Sequence, residues 1–360
     1  KEVIGNISDA TVGIFNRIRK DYLPIPGKFH YKFDLRDVLR VAYGMCLIDK
    51  KNSDFETKED LCSLWRHECM RTFSDRFVDD VDNDMERFTK IIGEVQNRYI
   101  GNTMDIDSSC FVPISQGQVY QRYKDGTQIE KQISKYLEDY NETGSSIPMP
   151  LVLFRNAVNH VCRIQRILML ERGSMLFVGV GGSGRESLSR LAAFASNYEF
   201  FRIEVSRKYR RKEFLEDIKS MSMRCGLDNI PVLFFLKDTD IQEEIFLEDI
   251  SSLLDSGEVH GCFGKEDVIA VCDGIRKDAA AAGLHESDDK KLWELFVERV
   301  RKNLRIIIAF SSIGQTFASR IESFPALMNC AHVNWFNPWP SSALEQIARD
   351  QVLGDTEDEN

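Results

Sequence analysis

Met175-Leu-Phe-Val-Gly-Val-Gly-Gly-Ser-Gly-Arg-Glu-Ser187 is the stretch on which the fold turns. An apolar run, Met175 to Val178, breaks into four glycines within six residues, and a helical pattern follows from Arg185 to Phe194. That is the sequence form of strand, phosphate loop and helix. Glycines let successive backbone N–H groups turn inward around an anion. The helix start adds unpaired N–H groups and the positive end of its dipole.

The loop fits more than one template. As a P-loop, Gly179-xxxx-Gly184 has the right spacing, but Arg185 stands where lysine is expected and Glu186 where a Mg²⁺-binding Ser or Thr is expected. As a dinucleotide fingerprint, Gly179-x-Gly181-x-x-Gly184 matches fully, with Glu204 near the spacing of a ribose-binding acid. A glycine turn that binds nothing is the third reading. Ser187 comes one residue late, about 100° around the helix, and replaces the missing hydroxyl poorly. Arg185 can grip phosphate with a planar fork, but it cannot act as a compact point charge.

Outward from the loop, helix and strand patterns alternate: Phe200–Val205, Lys212–Arg224, Pro231–Leu236, Glu243–Leu254, Lys291–Asn303, Leu304–Phe310 and His332–Phe336. Such alternation predicts an α/β fold, a parallel sheet with helices on both faces. Upstream the pattern is a helical bundle: Ala10–Leu23, Leu35–Ile48, Glu59–Phe73 and Asp80–Val95, with Asp34 placed to cap the second helix. Phe111–Pro113 and Gln118–Tyr120 read as short strands, Tyr123–Gly126 as a turn, and Ile129–Tyr140 and Leu151–Leu170 as helices. Asn141–Pro150 is the most linker-like stretch, which gives domains 1–143 and 144–360. Asp278–Asp289 reads as a surface connection and Asp355–Asn360 as a disordered acidic tail.

With 360 residues, two domains are the prior. The formal charge of −10, with acids and bases interspersed, argues against nucleic-acid or membrane-surface partners. Nine cysteines without ligand-like spacing suggest free thiols in a reducing compartment, and no apolar run is long enough for a membrane span. The start, Lys1-Glu2-Val3, is not a signal peptide, and without an initiator Met it suggests a fragment of something longer.

Val232 to Lys237 followed by Asp238 has the form of a Walker B strand, whose acid would hold Mg²⁺. The next residue, where a working ATPase needs a glutamate base, is Thr239. Glu243 and Glu244 are placed to cap the helix after it. Ser311, ending the strand Arg305–Phe310, stands where a γ-phosphate sensor would, or simply forms a turn.

Five stretches together resemble the motor region of dynein heavy chains: Pro24–Asp37 (PIPGKFHYKFDLRD), Phe73–Asp79 (FSDRFVD), Gly179–Arg185 with Leu188–Ala192, Phe246–Ile250 with Ser256–Val259, and Pro325–Asn329 with Asn334–Phe336. The chain looks like the small subdomain of the third AAA+ module followed by the large subdomain of the fourth, and the GVGGSGR form is similar to axonemal members. The resemblance implies a P-loop AAA+ sheet with flanking helices behind a mainly helical small subdomain. It further implies ATP or ADP, with or without Mg²⁺, on Gly179, Gly181, Gly182, Ser183, Gly184, Arg185, Glu186 and Ser187, with adenine near Pro148–Val152, including Leu151 and Val152. Asp238 would face the metal and Ser311 the γ-phosphate. Arg36 would be the sensor arginine of the preceding module, and Cys330 occupies the position of the inter-module arginine finger. Expected partners are neighbouring AAA+ modules of the same chain, other dynein subunits and, through parts absent here, microtubules. The expected setting is the cytoplasm and the cytoskeleton of a ciliary or flagellar axoneme. The anticipated role is a regulatory or structural nucleotide site without competent hydrolysis. The alternatives are a nucleotide-free spacer module or, with less support, an NAD-binding domain.

Overall fold

The computed structural model describes residues 2–48, 57–78, 82–101, 110–113, 120–123, 125–143, 148–281, 289–314, 316–345 and 347–349. In chain order its elements are α1 (Glu2–Asp21), α2 (Leu35–Met45), α3 (Lys58–Phe73), α4 (Asp84–Tyr99), β1 (Cys110–Val112), β2 (Gln121–Tyr123), α5 (Gly126–Glu142) and α6 (Arg155–Met169). There follow β3 (Ser174–Gly179), α7 (Arg185–Ala195), β4 (Glu199–Phe201), α8 (Arg211–Gly226), β5 (Val232–Lys237), α9 (Ile245–Ser256) and α10 (Lys265–Ala281). The last elements are α11 (Asp289–Asn303), β6 (Leu304–Phe310), α12 (Thr316–Ser323), α13 (Ala326–Asn329) and β7 (Ala331–Phe336). The main sheet has the order β4-β5-β6-β3-β7, and the pairs β4–β5, β5–β6 and β6–β3 are parallel. Among the described residues no helix is long and apolar enough to cross a membrane.

Contacts divide the chain into two compact units. The first comprises Lys1–Leu170, Gly179–Ala192 and Val333–Asn360. Its bundle core is built from Ile14, Ile18, Trp65, Phe73, Phe88 and Ile92, the inward faces of α1, α3 and α4. Asp34 caps α2 as the sequence implied, in a box closed by Asp37. The motif Pro24–Asp37 is locked by polar contacts: Lys28 Nζ lies 2.7 Å from Asp84, Tyr31 donates to Asp84 at 2.8 Å, and Asp37 receives Arg76 at 2.8 Å. His30 donates from Nε2 to the Arg76 carbonyl at 3.0 Å, and its ring stacks on Trp335 with centroids 4.4 Å apart. Burial, above all, pushes the His30 pKa down to about 3, so the ring is neutral.

The second unit comprises Glu171–Val178 and Ala193–His332. Every residue of β6, and all of β5 up to Leu236, is buried. Successive strand residues point to opposite faces, so unbroken burial means that both faces are covered. Phe214 of α8 stacks on Phe246 of α9 at 4.3 Å, and the Phe296 ring of α11 packs so tightly on Gly226 that a Cβ there would lie 2.3 Å from it. Arg211 grips Asp249 in a bidentate pair at 3.0 and 2.8 Å.

Several sequence expectations are corrected. The second short strand is Gln121–Tyr123, which overlaps the expected turn Tyr123–Gly126 only at Tyr123; of the expected strand Gln118–Tyr120, residues 118 and 119 lie outside the described residues. In the observed register Phe111 pairs with Arg122, while Tyr120 makes an isolated bridge to Ile48. The strand expected over Phe200–Val205 ends at Phe201. Helix α10 covers Lys265–Ala281, so the supposed surface connection begins inside a helix; residues 282–288 lie outside the described residues. Glu244 is at the start of α9 but makes no side-chain cap, because its carboxylate is held by Arg320 at 2.8 Å. Glu243 meets Arg210 and the Arg211 N–H instead. The tail Asp355–Asn360 and the centre of the linker-like stretch, residues 144–147, also lie outside the described residues.

Candidate functional site

The glycine loop joins β3 to α7, and each glycine has a different reason to be there. Gly182 and Gly184 adopt φ of +80° and +73°, a region costly for residues with a Cβ. At Gly179 a Cβ would meet the Phe336 Cβ at 2.6 Å, so close packing excludes a side chain. Gly181 has ordinary φ, and among the described residues nothing lies within 4 Å of where its Cβ would be. Open space there lets a ligand approach the backbone. Ser183 is 3% exposed, and its Oγ has no hydrogen-bond partner among the described residues. A buried hydroxyl left unpaired is costly unless a ligand or water completes it. The loop then enters α7 directly, with the Leu188 N–H donating to the Gly184 carbonyl at 2.9 Å. These features fit a phosphate group.

Arg185, Glu186 and Ser187 form the first turn of α7, all half-buried. Glu186 is held by Arg190 at 3.1 Å one turn along, which offsets the charge it sets at the helix start. Arg190 lies within the Leu188–Ala192 stretch, but its pairing with Glu186 was not among the expectations. Leu151 and Val152 are half-buried, outside helix and strand, ahead of α6, and the Phe154 ring of the same segment meets Trp339 at right angles, with centroids 4.5 Å apart. The Trp339 ring in turn lies 3.9 Å from the Cβ position of Gly184. The structure thus brings the segment expected to hold adenine and the glycine loop to the same tryptophan. Trp339 was not among the sequence candidates, and only its position just beyond the Asn334–Phe336 motif hints at it.

Within the second unit, Asp238, Thr239 and Ser311 line one cleft of about 230 Å³ with Phe310, Ile313, Thr316, Phe317 and Arg320. Parallel register sets Lys237 beside Ala309, which carries Asp238 to the start of the Ser311 turn. The Ser311 N–H donates to Asp238 Oδ2 at 2.8 Å, and the Thr239 N–H to Oδ1 at 3.0 Å. Ser311 Oγ accepts the Ile313 N–H at 3.3 Å, the turn-forming role that was its alternative. Thr239 is exposed and has no carboxylate with which to take a proton from water. Arg320 reaches this cleft from α12, but its guanidinium is committed to Glu244 at 3.0 and 2.8 Å.

Arg36 is exposed at the start of α2, while its neighbours Asp37 and Arg40 pair with each other at 2.8 Å. Cys330 is half-buried, and its N–H closes α13 on Ala326 at 2.9 Å. Glu204 is exposed, three residues beyond the end of β4, so it is not the strand-end acid that a dinucleotide fold requires.

Comparison with known proteins agrees with this geometry. Residues 149–360 match the family described as P-loop containing dynein motor region D4, and residues 7–108 match an AAA+ lid domain. Dynein axonemal heavy chain 2 of Mus musculus is 39% identical over 363 residues, covering 98% of this chain and 8% of that protein. Dynein-1-beta heavy chain, flagellar inner arm I1 complex, of Chlamydomonas reinhardtii is 38% identical over 364 residues, with the same 98% and 8% coverage. Dynein axonemal heavy chain 6 of Homo sapiens is 35% identical over 360 residues, with 97% and 8%. The chain therefore spans 8% of the length of these relatives. With a P-loop followed by an α/β sheet, a lid-type helical region before it, and a family match over more than half its length, this chain belongs to the dynein heavy chain motor family.

Proposed function

We propose that the chain is a section of an axonemal dynein motor ring in which the P-loop module holds ATP or ADP as a regulatory or structural ligand, with little or no hydrolysis. The observation that carries the binding half is the loop itself: two left-handed glycines, open space beside Gly181, and the orphaned Ser183 hydroxyl. A side-chain-filled loop would have favoured a nucleotide-free spacer, and the space at Gly181 counts against that. Loop N–H groups from Gly181 to Gly184 would take the phosphates, with Arg185 toward the β-phosphate. Leu151 and Val152 would face the base.

The hydrolysis half rests on substitutions. Arg185, Glu186 and Thr239 replace a lysine, a metal-binding hydroxyl and a general base. Asp238, the remaining acid at a strand end, is our candidate for a Mg²⁺ contact, and Ser311 a weak candidate for the γ-phosphate. We assign domain limits of 1–143 and 144–360, with Arg36 as a sensor for the preceding module. Neighbouring AAA+ modules, other dynein subunits and, through the rest of the parent chain, microtubules would be the partners, in a ciliary or flagellar axoneme. Titration calorimetry with ATP or ADP and Mg²⁺, paired with phosphate-release assays, tests both halves. No heat at millimolar nucleotide rejects binding. Steady Mg²⁺-dependent turnover that disappears in Asp238→Ala rejects the non-hydrolysing site.

A further inference from the structure

Resting on the nucleotide proposal above, we infer that Trp339 is a base-contacting residue of the loop's ligand, its indole taking the purine ring of an adenine nucleotide together with Phe154. Phosphates on loop N–H groups leave the rest of a nucleotide to extend past the first turn of α7. Whatever side chain stands beside Gly184 therefore meets the sugar or the base. Two side chains stand there, Leu188 at 3.8 Å and Trp339, whose Cζ2 lies 3.9 Å from the Gly184 Cβ position; Leu188 is buried, so the half-buried Trp339 is the one open to a ligand.

Three further observations support the assignment. Phe154 and Trp339 meet at right angles with centroids 4.5 Å apart, which restrains the indole plane and covers at most one of its faces. Both rings are only half-buried, as are Leu151 to Leu153 ahead of them, so the described residues do not close this apolar wall. Finally, Pro338 and Pro340 flank Trp339 and restrict the backbone on either side, so the indole is placed in advance and loses little freedom on binding. The ring stands at the far end of a chain of packed groups. Phe336 supports Gly179 and stacks on His160 at 3.9 Å, and His160 meets Trp339 at 6.3 Å.

The test compares ATP with tripolyphosphate, which carries the phosphates and no base, on the whole chain and on Trp339→Ala. Base–aromatic stacking predicts about tenfold weaker ATP binding in the variant, with tripolyphosphate binding unchanged. Trp339→Phe should recover most of the loss. A second readout needs no truncation: in 5-fluorotryptophan-labelled protein, the ¹⁹F signal assigned by Trp339→Phe should shift with ATP and not with tripolyphosphate. Unchanged ATP affinity in Trp339→Ala, or a signal indifferent to ATP, overturns the inference while leaving the loop as a phosphate site. Tripolyphosphate binding as tightly as ATP to the unaltered chain does the same. If the unaltered chain binds neither, the nucleotide proposal itself fails, and this inference with it.

Discussion

Arg166 of α6 and Glu68 of α3 form an ion pair sealed from solvent, their side chains 2% and 0% exposed. Tyr120 donates to the same carboxylate at 2.5 Å, and Gly44 leaves the room, since a Cβ there would collide with it. Burial opposes the charge on Arg166, but the attraction of Glu68 outweighs it and raises the guanidinium pKa overall. Removing one partner strands the other. Arg166→Met is expected to cost about 3–5 kcal/mol of unfolding free energy in urea titrations, and the double variant Glu68→Leu/Arg166→Met considerably less. Equal losses in both would show that the charge is not what matters.

Acid should loosen the first unit before its carboxylates titrate. Burial holds His30 down to about 3 and His160 well below its ordinary value, so the unfolded chain binds more protons than the folded one beneath pH 6.5. Stability from these groups is full above pH 6.5 and declines as pH falls toward the folded values, by about 1.4 kcal/mol per pH unit and proton at most. Asp37 acts lower: burial works against its charge, yet Arg76 and Arg40 depress its pKa, so its contribution fades only beneath the usual carboxylate range. His30→Phe should therefore be less stable at pH 7.5 but show a shallower slope between pH 4 and 6.5, by about one proton. Urea midpoints at four pH values measure it; an unaltered slope would contradict the neutral buried ring.

The glycines can be separated by substitution. Gly181→Ala meets no neighbour among the described residues and no forbidden φ, so thermal stability should stay within about 2 °C. Affinity for tripolyphosphate should nevertheless fall about tenfold, the equivalent of one lost phosphate contact. Gly184→Ala should lose both, costing about 1–2 kcal/mol from its φ of +73°. If Gly181→Ala binds normally, the open space is not a ligand's.

Asp238 is expected to matter for structure even without turnover. Asp238→Ala leaves the Ser311 N–H without its 2.8 Å acceptor and should cost about 1–2 kcal/mol, whereas Asp238→Asn keeps an oxygen there and should cost less. Denaturant midpoints of the two variants decide it.

How much of this was legible depended on the length scale of the signal. The parallel sheet was plain in Val232–Leu236 and Leu304–Phe310 because strands buried on both faces need unbroken apolar runs. The motif Pro24–Asp37 was conspicuous because Lys28, His30 and Asp37 each fill a buried polar contact. What sequence missed were pairings across long separations. Glu244 looked like a helix cap until Arg320, 76 residues later, claimed it. Trp339 carries no motif, and its meaning comes only from lying beside Gly184 and Phe154. The end of α10, from Asp278, was read as a connection because its alanines and small polar residues resemble a loop when no packing partner is in view.

Gly179 sits against Phe336 with no room for a methyl group, while Gly181 faces none of the described residues. One glycine is therefore kept by the protein's own interior and the other, on the proposed reading, by a ligand. If such a loop were to lose its ligand over evolutionary time, drift would spare Gly179 and erode Gly181 first. The survival of position 181 is thus the better gauge of whether a worn phosphate loop is still in use.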